Sequence, residues 1–469
     1  MQQTAKSLLK NANSLLRQDQ TAGLMAMANI LARYPGNTNA AKALGANPLE
    51  IWQVLMKLGR SDQAADYIRR AKSLDANTRA RLAGSALLKA GQIAKAKSTL
   101  EPALKGASSA VWNNYGSALR MLGQANTARA AFRTAVGLNP TDAQAWYNLA
   151  LTNGCRQCDL PTMKDTLSKV GQDQKPLMHF AIANLLDAVE DFDQAFQHFK
   201  LGNQLRRTAI GYNFESDAAL FKHLKSLTPK PLEVDDTDRV PVFLVGLPRS
   251  GSTLLERMLS RHTDVTGAGE LTALAEAVSA CDGLNAPLDQ PRLTRIRAHY
   301  LAALPDTKTT TVIDKMPLNF RLLSIAAAAL PEARFIDLRR SPMANCWSIY
   351  RHYFTDAGRT NGFAWDLQDL ARYHGLYTDL MDHWRSNFAH LILTLNYEDL
   401  VQDPERQLGA LFRFLDLPPD LNCLHPELGN DPVLTASALQ VRQPIYQGAS
   451  EAWRAYAAHL EPLENALNQ

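Results

Sequence analysis

The stretch VFLVGLPRSGSTLLERML, residues 242–259, determines the fold class of the second half of the chain. An apolar run is followed by a glycine-bearing loop and then by leucines at helical spacing, which predicts a buried strand, a loop and a helix. The loop has the G-x-x-x-x-G spacing of a P-loop, with Thr253 at the Ser/Thr position and Ser252 in place of the lysine. Backbone N–H groups and the helix dipole at such a turn favour a phosphate. We therefore expect a phosphate-binding loop in which Arg249 supplies the cation.

Ser252 stands where a P-loop has its lysine, and this limits the reactions that the loop can support. Phosphoryl transfer on Mg²⁺ uses that lysine together with an acidic metal ligand, and no obvious acidic partner is paired with the loop. This argues against a nucleotide kinase and favours a nucleotide 5′-phosphate that carries a non-phosphoryl group. A glycine-bearing turn in an α/β domain without any ligand is the alternative interpretation.

A second candidate anion site lies in ARFIDLRRSPMANCWS, residues 333–348. The pattern predicts a strand that ends at Arg340, a turn at Ser341-Pro342 and a helix that carries Ser348. An arginine at a strand end and a serine on the following helix can bind a phosphate, the arginine bidentately. Alone this is a common kind of turn, but together with the first loop it predicts a ligand with two separated phosphates.

The rest of the second half alternates short apolar runs with helical segments. The runs PVFLVGL, TTTVID, ARFIDLR and LILTLNY are typical of buried strands, and their separation by helices predicts a parallel α/β sheet over residues 241–469. Residues 206–240 combine one expected helix, over 215–227, with a polar, proline-spaced stretch. We interpret 206–240 as a helix and linker.

The first half, residues 1–205, has a repeat of about 34 residues. Trp146 lies 34 residues after Trp112, which is the tetratricopeptide period, and Gly116 and Phe132 match its alternation of small and large positions. A single helix pair cannot bury its apolar face alone, so this half predicts an all-α solenoid of stacked pairs. Such a solenoid binds a peptide or protein, or it serves as a spacer or dimerisation arm. The sequence leaves both interpretations open.

Composition excludes several classes of protein. The 469 residues carry 50 Lys+Arg against 46 Asp+Glu, and 46% are hydrophobic, which excludes a wholly disordered chain and bulk nucleic-acid binding. No apolar stretch is long enough for a membrane span, and the first residues lack a signal-peptide core, so we expect a cytoplasmic protein.

Cys155 and Cys158 form a lone CxxC without further metal ligands. We expect a loop between helices there, and no metal.

The paired motifs PRSGST and R-x-P-x-x-x-x-x-S resemble those of sulfotransferases. The second half is most similar to tyrosylprotein sulfotransferases, and the whole architecture is similar to bacterial proteins that join tetratricopeptide repeats to such a domain. The resemblance implies 3′-phosphoadenosine 5′-phosphosulfate (PAPS) as co-substrate, adenosine 3′,5′-bisphosphate (PAP) as product and no metal. It covers about residues 241–462 by motif.

The resemblance also implies roles for individual residues. It implies that the loop binding the 5′-phosphosulfate consists of Arg249, Ser250, Gly251, Ser252 and Thr253, and that the 3′-phosphate is bound by Arg340 and Ser348. It further implies a catalytic base at Glu270, a charge-stabilising lysine at Lys315, nucleotide contacts at Tyr397 and Gln440, and a catalytic serine at Ser437. Two positions depart from the family pattern, because Ala452 and His352 stand where basic residues are expected; Arg454 or Arg442 could compensate for Ala452.

The chemistry of sulfuryl transfer agrees with these residue types. It needs a base for the acceptor hydroxyl and cations for the developing charge, and Glu270, Arg249 and Lys315 can supply them. From the residues alone, Glu270 is equally a carboxylate at a helix N-terminus, and Lys315 a solvated turn residue. We expect transfer to a hydroxyl, with a peptidyl tyrosine as the leading acceptor. A sulfotransferase for a small molecule or saccharide and an inactive nucleotide-binding scaffold are the alternatives, and no nucleic-acid partner is expected.

Overall fold

The structure is a computed structural model that describes residues 5–18, 23, 26–27, 30, 48–57, 59–234, 239–355, 360–429, 432–434 and 438–468. The chain divides into two compact units. The first comprises Met1–Val170 with Asp431–Leu434, and the second comprises Gly171–Asn430 with Thr435–Gln469. Among the described residues, no helix is long and apolar enough to cross a membrane.

The first unit is all-α where it is described. Its helices, in chain order, are α1 (Ala5–Gln18), α2 (Pro48–Lys57), α3 (Ser61–Arg70), α4 (Ala76–Lys89), α5 (Ile93–Leu100), α6 (Ser109–Met121), α7 (Ala125–Leu138), α8 (Ala143–Leu151) and α9 (Leu160–Lys169).

Small residues let the paired helices of this unit approach each other closely. A Cβ added to Gly116 on α6 would lie 2.7 Å from Cε1 of Phe132 on α7, a contact that would force the ring to move. Between successive repeats, Ser109 Oγ donates to Asp142 Oδ2 over 2.6 Å and Asn148 Nδ2 donates to Asn113 Oδ1 over 2.9 Å. The predicted alternation of small and large positions is therefore what packs each pair, and the repeat spacing is what joins the pairs.

The CxxC lies between α8 and α9, as expected for a helix-connecting loop. Both cysteines are free, and burial raises the pKa of Cys155 to about 12. Cys155 is therefore a protonated, unreactive thiol at neutral pH.

The second unit begins with helices that the sequence assigned to the repeats. Helices α10 (Lys175–Ala188) and α11 (Phe192–Ile210) pack into it, and the Arg207 guanidinium on α11 donates to Asp369 Oδ2 over 2.8 Å. The contact-defined division thus falls after Val170, whereas the repeat pattern extends to residue 205. The repeat boundary stays a prediction. The helix expected over 215–227 is α12 (Phe214–Ser226).

A five-stranded parallel sheet forms the core of the second unit. Its strands are β1 (Val240–Val245), β2 (Val265–Gly267), β3 (Thr311–Asp314), β4 (Arg334–Arg339) and β5 (Ile392–Asn396), in the order β2-β3-β1-β4-β5. Val240 pairs with Thr311 and Val242 with Arg334, which fixes the register of the three central strands. Four of the five strands are the four predicted apolar runs; β2 was not predicted.

The central strands of this sheet are buried almost throughout, which is typical of a parallel sheet with helices on both faces. The α-helices that follow β1 in the chain are α13 (Ser252–Leu259), α14 (Ala273–Ala280), α15 (Gln290–Ala303), α16 (Leu323–Ala329), α17 (Pro342–Tyr350), α18 (Leu367–Phe388), α19 (Tyr397–Gln402), α20 (Pro404–Leu415) and α21 (Ala457–Leu467). The chain moves from β1 to one side for β2 and β3, and to the other side for β4 and β5. The crevice at the carboxyl ends of β1 and β4 is therefore the expected place for a ligand.

Candidate active site

The loop between β1 and α13 has the backbone of an anion cradle. Arg249 and Gly251 both have positive φ, +66° and +102°, which reverses the chain just before the helix. A Cβ on Gly251 would lie 2.3 Å from Cδ2 of Tyr397, and one on Gly246 would lie 2.5 Å from the Leu338 carbonyl oxygen. Both positions therefore require glycine for lack of space as well as for conformation.

Three hydroxyl side chains line this loop and are buried. Ser250, Ser252 and Thr253 are 1%, 6% and 8% exposed. The Oγ atom of Ser250 has no hydrogen-bond partner among the residues that the structure describes. A buried hydroxyl without a partner is costly, and a phosphate oxygen would satisfy it. The loop, as folded, therefore fits the phosphate group that the sequence predicted for it.

The second motif meets the loop directly. Arg340, which follows β4, donates from Nη1 to the backbone oxygen of Arg249 over 3.1 Å, and Arg249 Nε donates to Ser348 Oγ on α17 over 3.4 Å. Asn345, also on α17, donates to the Pro248 carbonyl over 2.9 Å. Arg340 and Ser348 thus flank Arg249, and the two predicted anion motifs form one cationic cluster.

Arg340 also anchors a segment near the end of the chain. Its guanidinium donates to the Ala449 carbonyl over 2.5 Å and to Ser450 Oγ over 3.3 Å, and it lies 5.0 Å from the centroid of the Tyr397 ring. Ser450 Oγ donates in turn to Glu398 Oε1 over 2.6 Å. Burial lowers the pKa of Arg340. Its charge is thus stabilised by two carbonyls, a hydroxyl, the Tyr397 ring and the nearby Glu398 carboxylate.

A second cluster forms around Lys315, directly after β3. Its Nζ donates to Glu270 Oε1 over 2.6 Å, and its backbone N–H donates to the Gly269 carbonyl over 2.9 Å. The Lys315 side chain is 1% exposed and that of Glu270 47% exposed. Lys315 is therefore not a solvated turn residue. Glu270 lies two residues before Thr272, the N-cap residue of α14, and its carboxylate is paired with Lys315.

Glu256 on α13 completes the Lys315 cluster and was not singled out from the sequence. Its Oε1 accepts the Gly269 N–H over 2.8 Å, and its Oε2 lies 3.9 Å from Lys315 Nζ. Burial raises the pKa of Glu256, and the Lys315 ammonium opposes that rise. The available signal was its spacing, because a residue four after Ser252 lies on the same helix face as the loop hydroxyl.

Two further residues in the site were not assigned roles from the sequence. Glu398 directly follows the predicted Tyr397, and its Oε1 accepts the Ser341 N–H over 3.1 Å as well as the Ser450 hydroxyl. Ser450 has no sequence pattern that points to the site. Tyr397, which was predicted, packs its ring against Gly251 and under Arg340.

The other predicted positions stand apart from these clusters. Ser437 lies outside the described residues. Gln440 is exposed, and among the described contacts its side chain makes no hydrogen bond to the loop. Arg454 pairs with Glu451 and Trp453, and Arg442 donates to the Gly429 carbonyl over 3.3 Å.

Ala452 and His352 are the two positions at which the sequence departs from the family pattern of basic residues. Ala452 is exposed at the start of a 3-10 helix, and the His352 ring lies edge-on to Phe354 at 4.7 Å. In the described part of the chain no three His, Cys, Asp or Glu residues are grouped to hold a metal ion.

The two clusters are joined through shared elements. The Gly246 N–H at the start of the loop donates to the Pro317 carbonyl over 3.1 Å, two residues after Lys315. Helix α13 carries the loop hydroxyls at its N-terminus and Glu256 one turn later. The arginine cluster, which can bind a polyanion, is thus connected to the Glu270–Lys315 pair. A carboxylate base and nearby cations are the groups that the transfer of a charged group to a hydroxyl needs.

Sequence comparisons match both parts of the chain to known families. Residues 241–420 match the model described as "Sulfotransferase family", and residues 109–142 match "Tetratricopeptide repeat". A Danio rerio relative named protein-tyrosine sulfotransferase 1 is 26% identical over 40% of this chain and 56% of its own length. An uncharacterised Aquifex aeolicus protein is 29% identical over 62% of this chain and 41% of its own length. The chain thus spans about half the length of these relatives.

Two further similarities are more limited. The nodulation protein NoeE of Sinorhizobium fredii is 34% identical, over 23% of this chain and 30% of its own length. Among solved structures, the sulfotransferase domain of the Synechococcus PCC 7002 olefin synthase is 22% identical with a TM-score of 0.36, over 48% of this chain and 91% of that one.

Proposed function

We propose that this protein transfers the sulfuryl group of PAPS to an acceptor hydroxyl, since residues 241–420 match the sulfotransferase family model and residues 109–142 match a tetratricopeptide repeat model. The observation that carries the proposal is the meeting of Arg340 and Ser348 at Arg249, beside the buried Ser250 hydroxyl, which has no hydrogen-bond partner in the described part of the chain. A donor with phosphates at both the 5′ and 3′ positions would satisfy both halves of that cluster.

In the proposed reaction Glu270 takes the proton of the acceptor hydroxyl. The acceptor oxygen forms its bond to sulfur while the bond from sulfur to the bridging phosphate oxygen breaks, and the electron pair of that bond stays on the 5′-phosphate of PAP. Arg249 and Lys315 would neutralise the charge that develops on the bridging and sulfuryl oxygens. Lys315 must first release Glu270, with which it is paired at 2.6 Å.

We propose a peptidyl tyrosine as the acceptor. Three considerations support this choice: relatives named protein-tyrosine sulfotransferase, a repeat of a type that binds peptides, and a base suited to a phenol. A small-molecule or saccharide hydroxyl is the alternative acceptor, with the repeats serving only as scaffold. An inactive scaffold that binds PAP without turnover is the alternative from another class.

The test has two steps. Calorimetry compares the binding of PAP with that of ATP, and we expect preference for PAP because the cluster offers a 3′-phosphate site and lacks the P-loop lysine. The purified chain is then incubated with PAPS labelled in the sulfuryl group, together with tyrosyl peptides, saccharides and small phenols, and mass spectrometry follows the label. Preference for ATP would contradict the donor, and PAP binding without any sulfated product would favour the inactive scaffold.

A further inference from the structure

Glu256 contacts the segment that carries the proposed base. Its side chain is 13% exposed, and Oε1 accepts the N–H of Gly269, the residue directly before Glu270. Gly269 has φ +71°, a left-handed conformation that glycine adopts readily and that turns the chain directly before Glu270. On its other side Gly269 accepts the Lys315 N–H over 2.9 Å. The position of Glu270 is therefore set by Glu256 from α13 and by Lys315 from the end of β3.

Lys315 has two carboxylates within reach. Its Nζ lies 2.6 Å from Glu270 Oε1 and 3.9 Å from Glu256 Oε2. Because the Lys315 side chain is 1% exposed, water cannot stabilise its charge, and an anion must stay beside it. If Glu270 were the only anionic partner of Lys315, one of two problems would follow. While the pair stayed intact, Glu270 could not act freely as the base, and once it separated, the Lys315 ammonium would be buried without a counter-charge.

We propose that Glu256 is a positioning residue for the Glu270–Lys315 pair: it holds the Gly269 amide, and its carboxylate remains as the partner of Lys315 when Lys315 leaves Glu270. The inference rests on the proposed function. Nothing in the family motifs used above assigns this residue, which lies inside α13 and beyond the donor loop. Glu256 thus connects the helix that begins at the donor loop to the groups that move the proton.

The charge of Glu256 depends on its surroundings. The charged and titratable groups that act on it are Asp314 at the end of β3, Lys315 directly after it, Glu270 from the segment after β2, and Arg257 from its own helix. Burial raises the pKa of Glu256, so its carboxylate takes up a proton at a higher pH than an exposed glutamate does. Protonation would remove the second partner of Lys315, so we expect Glu256 to limit activity on the acid side of the pH profile.

Two substitutions separate the two contributions. Glu256→Gln keeps an oxygen that accepts the Gly269 N–H and removes the charge, whereas Glu256→Ala removes both. We expect kcat to fall about tenfold in the first variant and on the order of a hundredfold in the second, because small displacements of reacting groups have effects of that size. The donor KM and PAP affinity should change little. Glu464→Gln, at an exposed position on α21, is the matched control.

The pH profile of kcat decides between positioning and a merely structural role. In Glu256→Gln the acid limb should move to lower pH, since the group with the raised pKa is gone and Lys315 is held more closely by Glu270. A structural role predicts lower melting temperature with an unmoved profile. Hydrogen exchange of the peptide around Gly269 should quicken in Glu256→Ala and stay as in the wild type in Glu256→Gln.

The outcomes also separate this inference from the function on which it rests. Wild-type turnover together with an unchanged rate and profile in Glu256→Gln would overturn the role of Glu256 alone. Absence of wild-type turnover with every acceptor would overturn the proposed function and this role together. Unchanged exchange at Gly269 in Glu256→Ala would overturn the hydrogen bond on which the positioning depends.

Discussion

The Arg340 guanidinium donates a hydrogen bond to the backbone oxygen of Arg249 over 3.1 Å, across a sequence separation of 91 residues. Arg249 has a left-handed backbone, with φ +66°, which is uncommon for a residue with a side chain. The Arg340 guanidinium therefore stabilises the left-handed backbone of Arg249, and it also places a positive charge next to the loop. The conformation of the loop and the positive charge beside it thus both depend on Arg340.

Substitution of Arg340 should weaken binding of PAP more than its charge alone would suggest. We expect Arg340→Ala to reduce affinity by about 10–100-fold, the effect of losing ~1.5–3 kcal/mol of charge-assisted hydrogen bonds. Arg340→Lys should recover only part, because a lysine cannot contact the Arg249 and Ala449 carbonyls together. Calorimetry measures both, with Arg295→Ala, at an exposed position on α15, as control. Equal affinity in Arg340→Lys and wild type would contradict a bidentate role.

The glycine of the donor loop should tolerate no side chain. Gly251→Ala places a Cβ 2.3 Å from the Tyr397 ring at φ +102°, so the loop or Tyr397 must move. We expect loss of PAP binding while the domain stays folded, since the loop is local. Gly375→Ala on α18 has nothing within 4 Å of the added Cβ and should be neutral or slightly stabilising. Normal PAP affinity in Gly251→Ala, measured by calorimetry, would show that the loop does not bind the donor.

The sequence predicted the parts of the fold that have a local signal. The four apolar strands and the loop before α13 were found because each is a continuous run with its own spacing. Strand β2 was missed because Val265–Gly267 has three residues at a sheet edge and only one of them is buried. Arg340 and Arg249 were both predicted site residues, and their direct contact follows from β1 and β4 being neighbours.

Long-range contacts account for what the sequence could not provide. Ser450 contacts Arg340 from 110 residues away, with no local pattern to reveal it. Helix α11 follows the repeat pattern, yet Asn203 donates to the Tyr350 carbonyl over 3.0 Å, so it packs into the second unit. Repeat periodicity describes how helices resemble one another, and it contains no information on which surface each finally buries.

Stability of the second unit should fall in mild acid because of His179. Its Nδ1 lies 3.0 Å from His198 Nδ1, and burial, reinforced by Lys175, lowers the pKa of His179 to about 4. In the unfolded chain the pKa is about 6.5. Between these values the unfolded state binds the extra proton, so stability is lost as the pH falls from about 6.5 towards 4.

The size of this acid effect can be measured by one substitution. At pH 5 the loss from His179 should be about 1–2 kcal/mol, allowing for its partial exposure to solvent. Denaturant unfolding at pH 7.5 and pH 5 measures it in the wild type and in His179→Gln, which cannot take up the proton. The variant should lose less stability between the two pH values. An equal loss in both proteins would assign the acid sensitivity to other groups, of which half-buried His374 is the first candidate.

The proposed base should be needed for turnover and dispensable for donor binding. Glu270→Gln keeps the size of the side chain and cannot accept a proton, so kcat should fall by about 10²–10⁴-fold. PAP affinity should change little, because Arg249, Ser348 and Arg340 belong to the other cluster. Label transfer from PAPS and calorimetry measure the two quantities, and Glu276→Gln on α14 is the control.

The ion pair between Glu270 and Lys315 allows a second test of the role of Glu270 in turnover. Lys315→Met removes the charge and should also lower kcat, and the double variant should be hardly slower than the worse single variant, because groups that act as a unit are not additive. Independent roles would instead make the two losses multiply. Since Lys315 Nζ and Glu270 Oε1 are 2.6 Å apart, removing either one changes the state of the other, and a non-additive result follows from that contact. Full turnover in Glu270→Gln would show that another group takes the acceptor proton.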